Sequence, residues 1–195
     1  MPKRYIPNDN WSQKAQKEGY RARSVYKLKE LDERFKLLKP NMKVLDLGAA
    51  PGSWLQYTAQ KVGPKGKVIG IDLQEIEPID GVKTFQQDIT DLEGIVTILK
   101  SERVDHVDLI LSDLAPSTSG IQDVDQWKSI KLSQSVLDVA RKFLKPGGTC
   151  VLKVLRGADF DKFLMIVKNE WKSVKSAQVK ASRDRSKEIY LVLTN

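Results

Sequence analysis

Lys153 is the residue whose chemistry fits least well with its sequence surroundings. It interrupts the apolar run Cys150–Leu155, which is typical of a strand buried on both faces of a parallel sheet. Burying an ammonium group is costly unless the group is paired or has lost its proton. The alternative is a lysine on an edge strand whose side chain extends to solvent. The position therefore predicts either a functional amine or an edge strand.

Two carboxylates are expected to approach this amine. Asp113 follows the fourth predicted strand, which lies beside the fifth in a doubly wound sheet. If the last strand pairs antiparallel with the fifth, Glu188 lies at the fifth strand's carboxyl end. Three charged side chains that are far apart in the sequence are thus predicted to meet.

A glycine-containing turn follows the first predicted strand, in the segment VLDLGAAPGSW of residues 44–54. In open α/β sheets, ligands bind at such turns, beyond the carboxyl ends of the strands. Gly48 and Gly52 are four residues apart and do not match G-x-G-x-x-G, and no Lys-Ser/Thr pair follows to make a P-loop. The spacing disfavours a pyrophosphate ligand.

Aspartates follow three successive predicted strands. Asp72 follows the second strand, Asp88 the third and Asp113 the fourth. A carboxylate at the end of the second strand can accept both ribose hydroxyls of an adenosine moiety. Such an acidic rim suits a cationic ligand that carries adenosine, and S-adenosylmethionine, with its sulfonium, is one. The alternative is that these are turn and helix-capping aspartates, which are common after strands.

Alternating apolar runs and helical patterns form the framework for these residues. The predicted strands are Lys43–Leu47, Lys67–Ile71, Val82–Phe85, Val107–Leu111, Thr149–Leu155, Trp171–Lys180 and Glu188–Thr194. Helices are predicted over Ser24–Phe35, Trp127–Phe143 and Asp159–Asn169. This order predicts an α/β fold with a mainly parallel sheet, helices on both faces and a closing hairpin with one antiparallel strand.

Charge is distributed unevenly along the 195 residues, whose net charge is +8. Residues 1–43 hold 12 Lys/Arg against 5 Asp/Glu, residues 44–161 hold 13 against 17, and residues 162–187 hold 8 against 2. If the two basic flanks meet in space, they form a surface suited to a phosphate backbone. Otherwise they are two separate solvated surfaces.

Several features bear on compartment and assembly. The length and apolar content predict a single domain over residues 1–195. Cys150 is the only cysteine, which favours a reducing compartment such as the cytoplasm. No apolar run reaches the roughly 18 residues of a membrane helix, and the polar N-terminus does not resemble a signal peptide. No Cys/His spacing indicates a metal site, and no heptad pattern indicates assembly, so a monomer is expected.

Five blocks that occur in order along the chain carry a family resemblance. They are Tyr20–Leu28, Asp46–Trp54, Ser112–Pro116, Leu152–Leu155 and Arg185–Tyr190. They resemble the signature blocks of the FtsJ/RrmJ ribose methyltransferases. The resemblance implies a class I S-adenosylmethionine-dependent methyltransferase fold, Rossmann-like and seven-stranded. In that fold residues 1–42 form a basic helical extension and residues 43–195 the catalytic core.

The same resemblance implies roles for individual residues. Lys27, Asp113, Lys153 and Glu188 match the family's Lys-Asp-Lys-Glu catalytic tetrad. The residues it implies for the methyl-donor pocket are Gly52, Trp54, Asp72, Asp88 and Asp113. The chain departs from the commoner family residues at Ser53, Leu114 and Leu155-Arg156, which leaves the fine shape of the pocket open.

The implied activity is methylation of a ribose 2′-hydroxyl in RNA, with S-adenosylmethionine as donor. The expected target is a uridine of large-subunit ribosomal RNA, and the tRNA anticodon loop is the alternative. Lys153 is expected to act as general base or, if it stays charged, to orient the hydroxyl. A methyltransferase for proteins or small molecules, and an inactive RNA-binding module, are more distant alternatives. An inactive module would be expected to lose tetrad residues, and this chain keeps all four.

Overall fold

The computed structural model describes residues 10–117, 119–182 and 187–195. Residues 1–9 of the N-terminal extension, and Arg185 and Ser186 of the fifth sequence block, lie outside the described residues. The helices are α1 (Asn10–Lys17), α2 (Val25–Phe35), α3 (Ser53–Val62), α4 (Leu92–Ser101), α5 (Gln122–Phe143) and α6 (Phe160–Glu170). The strands are β1 (Lys43–Leu47), β2 (Lys67–Asp72), β3 (Val82–Gln86), β4 (Val107–Ser112), β5 (Leu144–Leu155), β6 (Ser173–Ala177) and β7 (Glu188–Thr194).

The strands form one sheet in the order β3-β2-β1-β4-β5-β7-β6. Strands β1 to β5 pair in parallel, and β7 pairs antiparallel with both β5 and β6. Parallel strands need crossover connections, and here these contain helices that cover both faces of the sheet. The predicted fold class is therefore confirmed, including the antiparallel closing strand.

Two apolar cores lie on opposite faces of the sheet because successive side chains of a strand point to opposite sides. In β1, Leu45 and Leu47 pack with residues of α4, α5 and α6. Val44, which precedes Leu45 and therefore points to the opposite face, packs with residues of α1, α2 and α3. Each helix layer therefore covers every second side chain of the strands. The carboxyl edge of the sheet lies between the two layers.

The N-terminal extension packs on one of these cores. Helix α2 agrees with the predicted Ser24–Phe35, and its Leu28 and Leu31 are fully buried. Helix α1 was not predicted, because its sequence NWSQKAQK is polar and Ala15 is its only buried residue. The packing of α2 brings the N-terminal segment to the sheet edge where β4 and β5 end.

Helix α5 begins at Gln122, five residues before the predicted start at Trp127. Its first turn contains Asp123 and Asp125, so it lacks the apolar periodicity that marks a helix in sequence. Asp125 instead accepts hydrogen bonds from the backbone N and the Oγ of Ser119, both at 2.7 Å. Within residues 10–117, 119–182 and 187–195, neither α5 nor any other helix is long and apolar enough to cross a bilayer.

Strand β5 also begins earlier than predicted. Leu144 already pairs with Val107, and after a register irregularity Thr149 pairs with Leu109. The Pro-Gly-Gly segment of residues 146–148, which lies between the predicted helix and the predicted strand, therefore forms a bulge within the strand, where Gly147 adopts a φ of 74°. From Thr149 onward the strand is regular and positions Lys153.

Candidate active site

Four charged residues, Lys27, Asp113, Lys153 and Glu188, meet at the carboxyl ends of β4 and β5; this cluster is called the charged quartet below. Lys153 Nζ lies 3.0 Å from Asp113 Oδ1 and donates a 2.7 Å hydrogen bond to the Asp113 carbonyl oxygen. Lys27 Nζ lies 2.8 Å from Glu188 Oε2 and 3.8 Å from Asp113 Oδ1. Glu188 Oε1 lies 3.7 Å from Lys153 Nζ. Each charge in the quartet thus faces two charges of opposite sign.

Strand pairing explains why residues so distant in sequence meet. Ser112 of β4 pairs with Leu152 of β5, so Asp113 lies beside Lys153. Leu155 of β5 pairs antiparallel with Glu188, the first residue of β7. The spatial approach that the sequence predicted for Asp113, Lys153 and Glu188 is what the structure shows, and α2 adds Lys27.

The edge-strand alternative for Lys153 is wrong. β5 is an interior strand with β4 on one side and β7 on the other. The Lys153 side chain is only 4% exposed, so it does not reach bulk solvent. A buried ammonium is tolerated here because two carboxylates and one carbonyl oxygen surround it.

The surroundings of Glu188 lower the pKa of its carboxyl group. Burial is the largest single influence on its pKa and raises it, but the nearby charges of Lys27 and Lys153 outweigh burial. Hydrogen bonds from Lys27 Nζ at 2.8 Å and from Ser182 Oγ at 2.9 Å act in the same direction as these charges. The net result is a pKa below the ordinary value, so the carboxylate stays ionised near neutral pH.

Tyr190 supports the quartet and was not predicted from the sequence. Its hydroxyl donates a 2.5 Å hydrogen bond to Asp113 Oδ1, and its ring is fully buried. Burial, followed by the charges of Asp113 and Glu188, raises the pKa of Tyr190 well above its ordinary value, so the hydroxyl remains a donor. The available signal was the two-residue spacing from Glu188, which places both side chains on one face of β7.

A pocket of about 420 Å³, called the edge pocket below, lies along the carboxyl ends of β2, β3 and β4. Asp72, Asp88 and Leu114 are among its lining residues. Gly48 forms part of the wall with a φ of 78°, and a Cβ at this position would lie 2.2 Å from Leu114 Cδ2. Glycine is needed here because it permits both the positive φ and the close approach of Leu114.

The two pocket aspartates are held by local hydrogen bonds. Asp72 accepts from the backbone N of Ala50 at 2.9 Å and of Gln74 at 2.8 Å, and Asp88 accepts from Thr90 N and Oγ1 at 2.8 Å. The turn-aspartate reading is therefore correct for their local geometry. It does not exclude ligand binding, because both residues also line the edge pocket, and each carboxylate oxygen can accept more than one hydrogen bond.

Gly52 and Trp54 lie differently from Asp72 and Asp88, since neither is among the residues that line the edge pocket. Gly52 precedes α3 with a φ of 102° and faces Arg21 and Ile79. Trp54 is buried, donates a 2.8 Å hydrogen bond to the Ser24 carbonyl and packs 6.2 Å from the Tyr190 ring. Their role in donor binding stays a prediction. In this structure, the two residues would affect donor binding by shaping the turn between β1 and α3.

A small polar recess adjoins the edge pocket, and its lining includes Ser24, Asp46, Gly48, Trp54 and Asp113. Asp46 is 1% exposed, and its Oδ2 has no hydrogen-bond partner among the described residues. Burial raises the pKa of Asp46 well above its ordinary value, and the charges of Asp113 and Asp72 raise it further. An unsatisfied carboxylate oxygen beside a second carboxylate is a site that favours a cation. Asp46 was not predicted as a site residue, because its position within a strand gives no sign of a function.

Arg21 ties the N-terminal extension to the turn between β1 and α3. Its Nη1 donates to the carbonyl oxygens of Pro51 at 3.0 Å and Glu77 at 2.8 Å, and its Nη2 donates to that of Pro78 at 2.9 Å. One guanidinium therefore holds the β1–α3 turn against the loop that follows β2. Both segments adjoin residues of the edge pocket, so Arg21 is a candidate for positioning them.

The two basic flanks of the sequence do meet. Arg23 Nη2 donates a 2.6 Å hydrogen bond to the Ala181 carbonyl oxygen, and Lys180 N donates a 2.8 Å hydrogen bond to Glu30 Oε2. Helix α2 and the segment between β6 and β7 are thus in direct contact beside the quartet.

In the part of the chain that the structure describes, no group of His, Cys, Asp and Glu is arranged to hold a metal ion.

Comparisons with known proteins agree with these features. The family model described as FtsJ-like methyltransferase matches residues 20–195. A Syntrophobacter fumaroxidans protein named ribosomal RNA large subunit methyltransferase E is 47% identical over 192 residues, covering 96% of this chain and 95% of that protein. The protein of the same name from Methylobacillus flagellatus is 43% identical over 185 residues, covering 95% of this chain and 89% of that protein. A Plasmodium falciparum structure assigned as a ribosomal RNA methyltransferase has a TM-score of 0.81 and 32% identity, over 90% of this chain and 98% of that chain.

Proposed function

Because the chain belongs to the FtsJ-like methyltransferase family, we propose that it transfers a methyl group from S-adenosylmethionine to a ribose 2′-hydroxyl of RNA. The observation that carries this proposal is the position of the charged quartet. A buried amine, held by two carboxylates, lies next to an acidic recess, and this recess shares the lining residue Gly48 with a pocket of about 420 Å³. Methyl transfer needs a group that handles the hydroxyl proton beside a site that holds a cationic donor, and this edge of the sheet has both.

The residues at this edge fit the proposed donor. S-adenosylmethionine, when bound, supplies a methyl group that a sulfonium makes electrophilic. Asp72 and Asp88 in the edge pocket would hold the polar atoms of the adenosine, and Leu114 would pack on its base. Asp46 and Asp113 in the polar recess would face the cationic end, which gives the unsatisfied Asp46 Oδ2 a partner.

Within the quartet, Lys153 is the residue that we assign to the reacting hydroxyl. As a neutral amine its Nζ accepts the hydroxyl proton and acts as general base. As an ammonium it donates a hydrogen bond to the 2′-oxygen and holds it in line with the methyl carbon, and the proton leaves after transfer. In the first case the activity rises with pH as the amine loses its proton, whereas in the second it does not, so the pH dependence of kcat separates the two roles.

The other quartet residues position this amine. Asp113 contacts Lys153 Nζ through both its carbonyl oxygen and Oδ1, and Tyr190 fixes the same Oδ1. Glu188 lies near Lys153 and binds Lys27, so its carboxylate bridges the two lysines. Because all four residues come from one chain, the site needs no second subunit, and we propose that the protein acts as a monomer.

We further propose that the target is a uridine of large-subunit ribosomal RNA. The two relatives with the same name are large-subunit ribosomal RNA methyltransferases, and their similarity covers nearly this whole chain. The meeting of the two basic flanks beside the quartet supports a polyanionic substrate. A ribosomal substrate would place the protein in the cytoplasm. The tRNA anticodon loop is the alternative target.

Transfer of tritium from labelled S-adenosylmethionine tests the reaction. We expect label in the RNA of large ribosomal subunits that lack the modification, and none in ribosomal protein or in bulk tRNA. Mapping the labelled nucleotide then tests the uridine assignment. Label in the protein fraction would overturn the RNA proposal, label in tRNA would overturn only the ribosomal target, and no label in any fraction would leave a non-catalytic RNA-binding protein as the better description.

A further inference from the structure

Trp127 is a large aromatic side chain at the rim of the edge pocket that the proposed reaction does not use. It lies in the second turn of α5, lines the pocket and is 54% exposed. Ile121 and Val124, in the turn before it, are also exposed. An exposed tryptophan next to a ligand pocket, extended by further apolar side chains, is typical of a surface that binds a partner.

Two lysines accompany this ring. Lys131 Nζ lies 5.6 Å from the centre of the Trp127 ring, and Lys128 lines the same pocket. The surrounding stretch, residues 44–161, is acidic overall, so two lysines beside an aromatic ring are a local exception. The first turn of α5 contributes Asp123 and Asp125, and Asp125 accepts hydrogen bonds from Ser119. Asp72 and Asp88 also line the edge pocket.

The position of α5 places the ring on the same edge of the sheet as the quartet. Leu155 N donates a 3.0 Å hydrogen bond to Ser129 Oγ, so the turn of α5 that contains Trp127 lies beyond the end of β5. The quartet lies on the opposite side of this edge, because Val151, two residues before Lys153, packs in the core under α1 to α3. The ring is therefore at the same edge as the reacting ribose but on the other face of the sheet.

We propose that Trp127, Lys128 and Lys131 form a subsite for an RNA nucleotide that flanks the methylated one. Trp127 stacks on the base of that nucleotide, and the two lysines contact its phosphate. A stacked base with a neighbouring cation needs no particular sequence, so this subsite adds affinity and holds the strand across the edge pocket rather than reading a base. The proposal rests on the proposed RNA methyltransferase function.

Steady-state kinetics of a Trp127→Ala variant on unmethylated large ribosomal subunits test the subsite. Because one base stack is lost, we expect the KM for the subunits to rise about tenfold. Because the ring lies at the rim of the edge pocket, the Kd for S-adenosylmethionine, measured by calorimetry, should change several-fold less than the KM for the subunits. A Trp127→Phe variant retains an aromatic face and should recover most of the lost affinity.

Two controls make the result specific. A Met165→Ala variant removes another exposed apolar side chain, 59% exposed on α6 and outside the edge pocket, and should leave both constants unchanged. A Lys128→Ala, Lys131→Ala double variant should reduce the salt dependence of RNA binding, since it removes up to two phosphate contacts.

The outcomes separate this proposal from the one on which it rests. If the wild-type protein does not methylate RNA at all, the proposed function fails and the subsite with it. If the wild type is active and Trp127→Ala leaves the KM for subunits unchanged, only the subsite is overturned. A rise in the Kd for S-adenosylmethionine with an unchanged KM for subunits would also overturn it, because the ring would then be part of the donor site.

Discussion

The charged quartet and the polar recess beside it differ in how their buried carboxylates are paired with positive charges. In the quartet, Asp113 and Glu188 each lie within 3.8 Å of both lysines, so the fold itself supplies every counter-charge. In the recess, Asp46 is more deeply buried than either of these carboxylates, its Oδ2 has no hydrogen-bond partner among the described residues, and the like charges of Asp113 and Asp72 raise its pKa. The quartet, whose charges are balanced within the protein, is suited to catalysis, whereas the acidic recess is suited to binding a cationic ligand.

Substitutions in the quartet and in the recess should therefore cause different functional defects. A change in the quartet should affect the rate of the chemical step while leaving donor binding nearly intact. A change in the recess or in the turn that shapes it should affect donor binding first. Separate measurement of kcat and of the Kd for S-adenosylmethionine therefore tests whether the two regions are independent.

The largest expected effect is that of Lys153→Met, which replaces the buried amine by an apolar side chain of similar length. We expect kcat to fall by roughly a hundredfold to ten-thousandfold, the range expected for removing a proton-transfer group. The Kd for S-adenosylmethionine should change less than about threefold. Lys168→Met, at an exposed position on α6, is the matched control and should retain full activity. Near-full turnover by Lys153→Met would remove Lys153 from the mechanism.

Asp46→Asn should produce the largest defect in donor binding. Loss of a charged partner for the cation should raise the Kd for S-adenosylmethionine about tenfold to a hundredfold. Because the pKa of Asp46 is raised, its carboxylate is protonated at a higher pH than usual, and donor binding by the wild type should weaken as the pH falls. Calorimetric titration across a pH series should show this dependence in the wild type and a flatter profile in the variant. Identical profiles would exclude contact between Asp46 and the donor.

Arg21→Ala should have a smaller effect on the same quantity. The variant loses three hydrogen bonds to carbonyl oxygens in the two segments beside the edge pocket. We expect the Kd for S-adenosylmethionine to rise about tenfold, because the turn is no longer held in the binding conformation. Arg34→Ala, at an exposed position on α2, controls for the loss of one positive charge. If RNA affinity falls in Arg21→Ala while donor affinity does not, Arg21 contacts the substrate instead of positioning the turn.

Besides lowering kcat like other changes in the quartet, Glu188→Gln should reduce stability, and this smallest of the expected effects depends on pH. The pKa of Glu188 is lower in the folded protein than the ordinary value of 4.5, so its ionised form stabilises the fold above that value. This stabilisation is lost as the pH falls through the folded-state pKa. Urea unfolding should therefore show a deficit of about 2 kcal/mol for the variant at pH 7, which shrinks in strongly acidic buffer. A deficit that is constant with pH would mean that packing, not charge, is what the substitution removes.

Strong apolar patterns made much of the fold predictable. The first four strands lie within one residue of their predicted bounds. In β2 and β4 the predominantly apolar sequence is typical of a buried parallel sheet, whereas β3 is a half-buried edge strand. Helix α1 could not be predicted, because its sequence is polar and Ala15 is its only buried residue, although Trp11 packs on Tyr26 with ring centres 5.0 Å apart. The early start of β5 was missed because a bulge allows Pro146 and its neighbouring glycines to lie within a strand.

Only some residues of the candidate site could be predicted from the sequence pattern. Lys153 was conspicuous because a charged residue in an apolar run contradicts its surroundings. Asp46 lies in a similar run, but an aspartate near a strand end is common and attracts no attention. The three carbonyl contacts of Arg21 left no pattern at all, since backbone acceptors can belong to any residue type.

The sequence by itself determined the order of strands and helices, the anomalous amine and the acidic residues at strand ends, because periodicity and residue type act locally. Only the tertiary structure decided which charges balance each other and which carboxylate oxygen lacks a hydrogen-bond partner among the described residues. That distinction depends on distances between segments up to 161 residues apart, and electrostatic and hydrogen-bond energies change steeply over those few ångströms.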